Sequence, residues 1–359
     1  MVVADDYRYM ARALQIAARG LYTTDPNPRV GCVVVQRDVV VGEGWHEFAG
    51  GPHAEVIALK QAGDQARGGT VYVTLEPCSH HGRTPPCVDA LIDAGVRRVV
   101  AAMMDPNPLV SGAGFARLKA QSIELESGVL EAQSSALNPG FIKRMHTGLP
   151  YVRCKVAMSL DGRTAMASGE SKWITGPAAR ADVQHWRARS SAIVTGSGTV
   201  LADNPSLLVR LDQPHGQPLR VVVDSRLRTP LHAHICAGGA KTVIVTAGSD
   251  EMVYAASADV VSLPGTDGRV DLHALLQYLA KQQYNEVLIE AGPTLSGAFL
   301  AADLVDELII YIAPHLLGSS ARGLFHLPAL EKLADRIDLD ITDMRAVGPD
   351  WRILARIQR

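Results

Sequence analysis

Cysteine is scarce in this chain, and neither sign of charge is in excess. The five cysteines are scattered over 359 residues, too few and too dispersed for a disulfide scaffold. Such thiols are typical of a reducing compartment, so we expect a cytoplasmic protein. The 35 basic and 37 acidic side chains leave a net charge of −2. Because a protein that binds nucleic acid mainly by charge needs a basic surplus, we expect no nucleic-acid partner.

Long apolar runs are also missing. The longest, such as residues 30–35, fall far short of the roughly 20 residues that span a bilayer. Asp5, Asp6 and Arg8 interrupt any apolar core near the start of the chain, so we predict neither a signal peptide nor a membrane partner. Hydrophobic residues nevertheless make up 47% of the sequence and charged residues only 20%. This composition excludes a disordered chain.

Segments with strand and helix patterns alternate along the chain, which predicts an α/β layer fold with a largely covered sheet. The length predicts two domains. Residues 138–150, rich in proline, glycine and bases, are the expected solvated connection, so we place the domains at 1–147 and 148–359. The predicted helices are 5–19, 53–66, 86–94, 112–120, 177–189, 270–282 and 293–301. The predicted strands are 30–35, 39–41, 70–76, 97–102, 122–126, 151–158, 191–195, 219–223, 242–246, 286–290, 306–313 and 351–357. The apolar strip 304–313 fits a buried strand or a dimer seam.

A histidine, a glutamate and two cysteines in the first half form a pattern typical of a catalytic zinc site. His53 and Glu55 open a predicted helix, whereas Cys78 follows a predicted strand and Cys87 begins the next helix. One imidazole and two thiolates suit zinc with one open position. A water in that position has its pKa lowered to about 7. Glu55 can reach this water without binding the metal and can pass its proton to a leaving amine.

This pattern comes close to a zinc-deaminase signature, H-x-E followed by P-C-x-x-C. The second spacing differs, because eight residues separate Cys78 from Cys87. An alternative is a structural zinc held by Cys78, His80, His81 and Cys87, which leaves His53 and Glu55 without a role. Two other functions stay open at this point: a zinc-stabilised binding protein without catalysis, and a deaminase of another nucleobase.

The second half lacks the standard nucleotide-binding motifs. The pair Gly196 and Gly198 lacks the third glycine of G-x-G-x-x-G, and residues 292–297 lack the Gly-Lys-Ser/Thr of a phosphate loop. Two glycine-rich stretches, 195–199 and 291–297, each follow an apolar run and precede helical sequence. At such places a pyrophosphate can meet backbone N–H groups at a helix N-terminus.

Several longer stretches resemble the bifunctional riboflavin-biosynthesis deaminase–reductases of bacteria, over nearly the whole chain. In the first half they are NPRVGCV at 27–33, TLEPCSHHGRTPPC at 74–87 and DPNP at 105–108. In the second half they are KVAMSLDGR at 155–163, SKWIT at 171–175, TGSGTVLADNP at 195–205 and EAGPTLSGAFL at 290–300. The resemblance implies a cytidine-deaminase-like three-layer N-terminal domain followed by a dihydrofolate-reductase-like C-terminal domain.

The resemblance also implies two reactions, with Zn²⁺ and NADPH as cofactors. The first is deamination of 2,5-diamino-6-(5-phosphoribosylamino)pyrimidin-4(3H)-one at the carbon that carries the 2-amino group. The second is NADPH reduction of the ribosyl group, which gives 5-amino-6-(5-phosphoribitylamino)uracil. Because the family is often dimeric or tetrameric, we expect a homo-oligomer.

Carried over by motif, the family's site residues fall on defined positions of this chain. The deaminase substrate contacts are Asn27, His46, His80, Arg83, Asp105 and Asn107. The reductase substrate contacts are Ser171, Arg187, Asp203, Arg210 and Glu290. The cofactor contacts are Ala157, Trp173, Thr199, Gly292, Pro293, Thr294, Leu295, Ser296, Gly297 and Ala298. We take Lys155 and Asp203 as the groups that polarise the opened sugar and move its proton. Ser225, with Arg226, is a candidate for the 2′-phosphate of the cofactor.

Overall fold

The computed structural model describes residues 2–79, 85–108, 110–248 and 258–358. The chain divides into two compact units, Met1–Gly148 and Leu149–Arg359. Each unit is built around its own sheet. All five cysteines are free thiols. Within the described residues, no helix has both the length and the apolar character to cross a membrane.

A five-stranded sheet forms the centre of the first unit. Its strands are β1 (Gly31–Gln36), β2 (Val39–Trp45), β3 (Thr70–Val73), β4 (Arg98–Ala101) and β5 (Glu124–Ser127), in the order β2-β1-β3-β4-β5. The helices are α1 (Ala4–Ala17), α2 (Ala54–Ala62), α3 (Cys87–Asp93), α4 (Ala113–Ala120), α5 (Glu131–Leu137) and α6 (Pro139–Thr147). Strand β1 runs antiparallel to both neighbours, whereas β3, β4 and β5 are parallel.

The alternation of side chains along the central strands builds three layers. On β1, Cys32 and Val34 belong to a core shared with α2, α3 and α4. Val33 and Val35 point to the opposite face and belong to a core shared with α1. Because successive side chains of a strand face opposite sides, one continuous apolar run supplies both cores. The three-layer α/β prediction is confirmed.

A nine-stranded sheet forms the centre of the second unit, in the order β11-β10-β9-β8-β12-β6-β13-β16-β15. The strands are β6 (Tyr151–Ser159), β7 (Arg163–Ala165), β8 (Ala192–Gly196), β9 (Leu219–Val223), β10 (Thr242–Thr246), β11 (Asp259–Ser262), β12 (Glu286–Ile289), β13 (Glu307–Ala313), β14 (Arg322–Gly323), β15 (Leu339–Val347) and β16 (Asp350–Ile357). The helices are α7 (Pro177–Arg189), α8 (Ser197–Asp203), α9 (Leu272–Lys281) and α10 (Pro293–Ala301). The first seven strands in this order, from β11 through β13, run parallel to one another. Strand β16 is antiparallel to β13, and β15 is antiparallel to β16.

Helices cover both faces of this sheet. Helices α9 and α10 pack on one face, over a core that includes Val194 and Ile289. Helices α7 and α8 pack on the other face, over Ile193 and Leu288. The strip 304–313 contains β13, which is buried between β6 and β16. Of the two interpretations of this strip, the buried strand is the one the structure has.

The segment expected as a solvated connection is helical over α6. Pro139 stands in its first turn, where a missing N–H costs nothing, and Gly148 ends it with a φ of 70°. The proline and the glycine that suggested a linker therefore start and stop a helix. Helices α5 and α8 and strands β7, β11, β14 and β15 were also absent from the sequence prediction. Strand β15 is the edge of the sheet with mostly exposed side chains, so it carries no clear apolar alternation.

Candidate active sites

Three side chains with metal-binding atoms meet in the first unit. His53 lies at the N-terminal cap of α2, Cys87 is the first residue of α3, and Cys78 lies in the segment after β3. Their ligand atoms all lie within 4.8 Å of one another, the one such group among the described residues. His53 Nδ1 is 3.2 Å from Cys87 Sγ and 3.5 Å from Cys78 Sγ. His53 thus joins both thiols, as the catalytic interpretation requires.

The electrostatics of this group favour a bound cation. A hydrogen bond from Cys87 and the nearby His53 hold the pKa of Cys78 at about 4. The same contact with Cys78, together with burial, raises the pKa of Cys87. The lowered pKa of Cys78 favours the thiolate, the form of cysteine that binds a metal. One imidazole nitrogen and two thiol sulfurs are the donors that zinc prefers, so the residues fit the metal.

Glu55 lies in the first turn of α2, beside the metal-binding group. Its side chain is buried, and its carboxylate contacts Cys87. Burial, and next the negative charge of Cys78, raise the pKa of Glu55 above its ordinary value. A carboxyl group with a raised pKa holds a proton more readily, which suits a group that accepts a proton and passes it on.

Asn27 and His46 lie next to the same group. The His46 ring packs edge-on against His53, with 5.6 Å between ring centroids. His46 Nδ1 is 3.0 Å from the Pro52 carbonyl oxygen, which can only accept, so the proton is on Nδ1. His46 Nε2 then accepts from the Asn27 amide at 3.0 Å. Burial lowers the pKa of His46 and keeps the ring neutral. Both residues are therefore held in one fixed orientation.

The remaining predicted deaminase residues divide into two groups. Asp105 and Asn107 lie in the segment after β4, where Asp105 Oδ1 accepts from the Asn107 backbone N–H at 2.8 Å. Asp105 is buried, whereas Asn107 is partly exposed. His80 and Arg83 lie outside the described residues, as does His81.

A large cleft lies at the carboxyl ends of β6, β8, β9 and β12 in the second unit. Its volume is about 1600 Å³, above the roughly 300–1,000 Å³ of a typical small-molecule site. Nine lysine and arginine side chains and four carboxylates line it. The cleft therefore has room for two ligands side by side and a surplus of positive charge for anionic groups. Ligands bind at this edge of open parallel sheets in general.

Most residues predicted for the reductase line this cleft. They are Lys155, Ala157, Ser171, Trp173, Arg187, Thr199, Asp203, Arg210, Ser225, Glu290, Gly292, Pro293, Thr294, Leu295 and Ala298. The two glycine-rich stretches meet here, because the Gly292 backbone N–H donates to Thr199 Oγ1 at 3.2 Å. The second of them forms the N-terminus of α10.

Two residues of the predicted cofactor run do not face the cleft. Ser296 is fully buried, with its hydroxyl donating to the Ala291 carbonyl oxygen. Gly297 lies so close to His326 that a Cβ atom would collide with the His326 backbone. Both lie on the inner face of α10, since a helix presents only some of its positions to one side. Any contact of these two residues with a cofactor would have to use their backbone, and the assignment of residues 292–298 to the cofactor stays a prediction.

Arg187 and Glu290 form an ion pair inside the cleft. Arg187 donates to both oxygens of Glu290, at 2.6 and 2.9 Å. Burial alone would raise the pKa of Glu290, but Arg187 and Lys155 outweigh it and hold that pKa below its usual range. Lys155 is partly buried near this pair, and burial lowers its pKa. Its ammonium lies 6.0 Å from the centroid of the Tyr311 ring. Glu290 is thus an ionised partner for two cations.

Asp203, Trp173 and Ser225 lie toward the edges of the cleft. Asp203 is the last residue of α8, and its carboxylate is 3.4 Å from Lys172 Nζ. Trp173 is 68% exposed, with the Arg180 guanidinium 4.6 Å from its ring centroid. Ser225 Oγ accepts from the Val270 backbone N–H at 3.1 Å, which leaves its own O–H to donate. These side chains are accessible to a ligand.

Family models match both units. A model of the cytidine and deoxycytidylate deaminase zinc-binding region matches residues 3–103, and a model of the RibD C-terminal domain matches residues 150–353. The chain is 55% identical to riboflavin biosynthesis protein RibD of Escherichia coli (strain K12), over 96% of this chain and 97% of that protein. The chain belongs to the RibD family. It is also 49% identical to RibD of Haemophilus influenzae, over 98% of this chain and 97% of that one.

Solved RibD structures share the whole fold. The structure of Acinetobacter baumannii RibD, form 1, has a TM-score of 0.93 and 49% identity, and 99% of each chain is covered. A Thermotoga maritima structure is described as a diaminohydroxyphosphoribosylaminopyrimidine deaminase/5-amino-6-(5-phosphoribosylamino)uracil reductase. It has a TM-score of 0.89 and 33% identity, with 98% of this chain and 99% of that one covered.

Membership of the RibD family makes the chain a bifunctional enzyme of riboflavin biosynthesis, a deaminase and a reductase. The first activity is a hydrolase reaction and the second an oxidoreductase reaction. This confirms the predicted function and the deaminase-like and dihydrofolate-reductase-like domains. It excludes a zinc-stabilised binding protein without catalysis. Zinc and a nicotinamide cofactor are the cofactors that the two RibD domains imply.

Sequence reasoning missed two buried polar residues of the RibD deaminase unit. Asn138 Oδ1 accepts from the Arg29 backbone N–H, and Asn138 Nδ2 donates to the Arg29 carbonyl oxygen. Asn138 thus holds the backbone two residues after Asn27. Glu76 accepts four backbone N–H groups. Its place directly before Pro77 and Cys78, inside a motif that carries the resemblance, was the available signal.

Proposed function

We propose that the first unit deaminates 2,5-diamino-6-(5-phosphoribosylamino)pyrimidin-4(3H)-one, and that the second reduces the product with NADPH to 5-amino-6-(5-phosphoribitylamino)uracil. The buried Glu55 beside His53, Cys78 and Cys87 carries the first assignment. The basic cleft of about 1600 Å³ supports the second. The description of the Thermotoga maritima relative names this pair of activities. We place the reaction in the cytoplasm, whose reducing conditions suit free thiols.

In the first unit, His53, Cys78 and Cys87 would hold zinc. When bound, zinc lowers the pKa of a water ligand to about 7 and so makes hydroxide available at neutral pH. Glu55 takes a proton and delivers it to the exocyclic amino group. The carbon–nitrogen bond breaks, oxygen from water replaces nitrogen, and ammonia leaves. The raised pKa of Glu55 lets it hold this proton between the two transfers.

Substrate recognition in the first unit falls to Asn27, His46, Asp105 and Asn107. The Asn27 amide N–H donates to His46. The side-chain carbonyl oxygen of Asn27 is then the atom that can accept from the substrate. Neutral amide and imidazole groups can read the polar edges of the pyrimidine ring and the ribose. Arg83 and His80 are assigned by motif alone, with the guanidinium of Arg83 as a bidentate partner for the 5′-phosphate.

In the second unit, Lys155 lines the cleft, where its ammonium group can polarise a bound sugar. A bound reduced nicotinamide supplies hydride. The ribose opens at its anomeric carbon as the N–H proton moves to the ring oxygen, and the Lys155 ammonium polarises the resulting C=N group. The anomeric carbon would receive the hydride, and the nitrogen would take a proton from Lys155. Asp203 moves the proton of the opened sugar. Ser171, Arg187, Arg210 and Glu290 orient the substrate and its phosphate, with Arg187 fixed by Glu290.

The preference for NADPH over NADH is assigned to one corner of the cleft. Ser225, Arg226 and Arg228 follow β9, and Arg269 faces them from the segment before α9. Three guanidinium groups and a hydroxyl donor suit a phosphate dianion. Thr199, Gly292 and neighbouring residues at the start of α10 contact the rest of the cofactor.

One coupled assay tests both reactions. Zinc-loaded protein with the diaminopyrimidinone substrate should release ammonia first and oxidise NADPH afterwards, faster than NADH. A chelator should stop both signals, because the second reaction needs the product of the first. Supplying the deaminated intermediate should restore NADPH oxidation in chelator. Ammonia release without any NADPH oxidation would contradict the assignment of the second unit, and no ammonia would contradict that of the first.

We also propose that the chain forms a homo-oligomer through the edge of its larger sheet. Strand β15 has unpaired backbone groups on one side, and edges of this kind invite another strand. Ile341 and Met344 on β15 are 57% and 56% exposed, and Trp351 on β16 is 46% exposed. Large apolar side chains grouped on an exposed surface are typical of an interface. A second copy of this chain supplies a matching edge.

Replacing Ile341 by lysine should therefore lower the solution mass toward that of one chain, because a buried lysine charge opposes association. Light scattering after size exclusion measures this mass. Leu316→Lys is the matched control, since Leu316 is 70% exposed on the loop after β13 and is not part of β15. An unchanged mass for Ile341→Lys, or an equal drop for both variants, would contradict this interface.

A further inference from the structure

The Glu76 carboxylate is buried and accepts four hydrogen bonds, all from backbone N–H groups. Only 3% of the residue is exposed. Oε2 accepts from the backbone N–H groups of Asp105 at 3.1 Å and Gly112 at 3.0 Å. Oε1 accepts from those of Gly114 at 3.0 Å and Phe115 at 3.3 Å. All four donors belong to one stretch of chain, so a single side chain fixes that stretch at four points.

Part of this bonding caps a helix. Gly112 is the N-cap residue of α4 and has no side chain to accept from the first turn. The first N–H groups of a helix lack partners within it, and a negative charge at that end is favourable. Glu76 supplies both the charge and an acceptor for the first-turn N–H groups of Gly114 and Phe115. The start of α4 is thereby attached to the segment between β3 and Cys78.

The other part closes a loop. Oε2 contacts both Asp105 and Gly112, the two ends of the segment that precedes α4. Asn107 lies inside this segment, and its carbonyl oxygen accepts from the Val110 and Ser111 backbone N–H groups at 2.9 Å. One buried carboxylate therefore holds together the two ends of the segment that carries Asp105 and Asn107.

Glu76 also stands close to the metal-binding group along the chain. Pro77 alone separates it from Cys78. The Pro77 carbonyl oxygen lies against Gly114, where any Cβ atom would collide with it. The cysteine segment and the start of α4 are thus in direct backbone contact, with Glu76 bonded across the junction.

We propose that Glu76 is a positioning residue of the deaminase, which holds Asp105 and Asn107 at a fixed place relative to Cys78. This inference rests on the proposed substrate contacts of Asp105 and Asn107. Glu76 reaches the substrate only through backbone groups. Its loss should therefore weaken substrate binding more than it slows the chemical step.

The Glu76→Gln variant tests this role. Glutamine has the same shape, but its amide NH₂ cannot accept, so two of the four backbone N–H groups lose their partner. We expect KM for deamination to rise by about tenfold or more, and kcat to change by less than about threefold. Zinc content and reduction of the supplied deaminated intermediate should stay at the level of the unchanged protein.

Glu43→Gln is the matched control. Glu43 lies on β2 of the same unit and binds the Arg12 side chain at 2.7 Å, away from this loop. Its KM should not move. Glu76→Asp keeps the charge but shortens the reach by one methylene, and it should give an intermediate KM. This second variant decides the question if Glu76→Gln does not fold.

The outcomes separate this proposal from the substrate assignment. A KM unchanged in Glu76→Gln, or in Glu76→Asp where the glutamine variant does not fold, would overturn the positioning role. Loss of zinc would also overturn it, because Glu76 would then support the metal-binding segment. An Asn107→Ala variant with unchanged KM would overturn only the proposed Asn107 contact. If both hold, the double variant should show less than the product of the two single effects.

Discussion

The Glu55→Gln variant is expected to release ammonia about 10²- to 10⁴-fold more slowly than the unchanged enzyme, the usual range for a lost general acid–base group. Glutamine fills the same space in the first turn of α2, but it cannot take up and return a proton. Glu55 is not among the three residues whose ligand atoms converge, so zinc should stay bound. Ammonia release and metal content, measured on one preparation, check both statements.

Two comparisons make this result specific. Glu43→Gln, a carboxylate paired with Arg12 in the same unit, should release ammonia at the normal rate. Glu55→Gln given the deaminated intermediate should oxidise NADPH normally, because the cleft belongs to the other unit. Normal ammonia release by Glu55→Gln, or zinc loss in it, would refute the role given to Glu55.

The Lys155→Met variant should lose reduction by a similar factor of about 10²- to 10⁴-fold while deamination continues. Methionine keeps most of the length and apolar surface of the side chain but removes the ammonium group. NADPH oxidation with the supplied intermediate measures this loss. The melting temperature of the Lys155→Met variant should not fall. Burial lowers the pKa of Lys155, so the folded state disfavours the charged form that the variant removes.

The direction of that pKa shift also sets two pH effects. The folded chain binds fewer protons at Lys155 than the unfolded chain does. The buried ammonium of Lys155 therefore destabilises the folded state most at lower pH. This destabilisation is relieved as pH rises from the lowered pKa toward the ordinary value of about 10.4. Reduction should fall over the same alkaline range as the ammonium is lost. Glu290, Arg187, Cys154 and Tyr311 are the titratable groups that face Lys155.

Lys241→Met is the control for this pair of effects. Lys241 belongs to the same unit, but its side chain is 77% exposed and does not line the cleft. Asp203→Asn should also slow reduction and leave ammonia release intact. A Lys155→Met enzyme that reduces at the normal rate would remove Lys155 from the mechanism.

The zinc site could be predicted because its chemistry is local to each residue. Histidine and cysteine at element ends, with a glutamate two positions after the histidine, allow few other roles. The central strands were also predictable, because runs such as β1 are apolar on both faces. The sequence places the glycine-rich run at the start of α10, and part of it lines the cleft. Which of its side chains point outward depends on how the helix packs against the backbone at His326.

Other features depend on tertiary contacts that no local pattern encodes. The bonds of Glu76 reach 29 to 39 residues along the chain, and the motif that contains Glu76 singles out the residue but not these partners. Asn138 binds Arg29 across 109 residues. Helix α6 was misread because proline and glycine are both linker residues and helix-end residues, and only the intervening packing decides between these roles.

The position of β6 governs when the second unit can fold during synthesis. This strand is made first in its sheet, yet it pairs on one side with β12 and on the other with β13, as in Val152 with Val287 and Val156 with Ile310. Contacts so distant along the chain form slowly. A nascent chain that ends before residue 286 leaves both edges of β6 open. Chaperone dependence and aggregation during translation should therefore concentrate in the second unit.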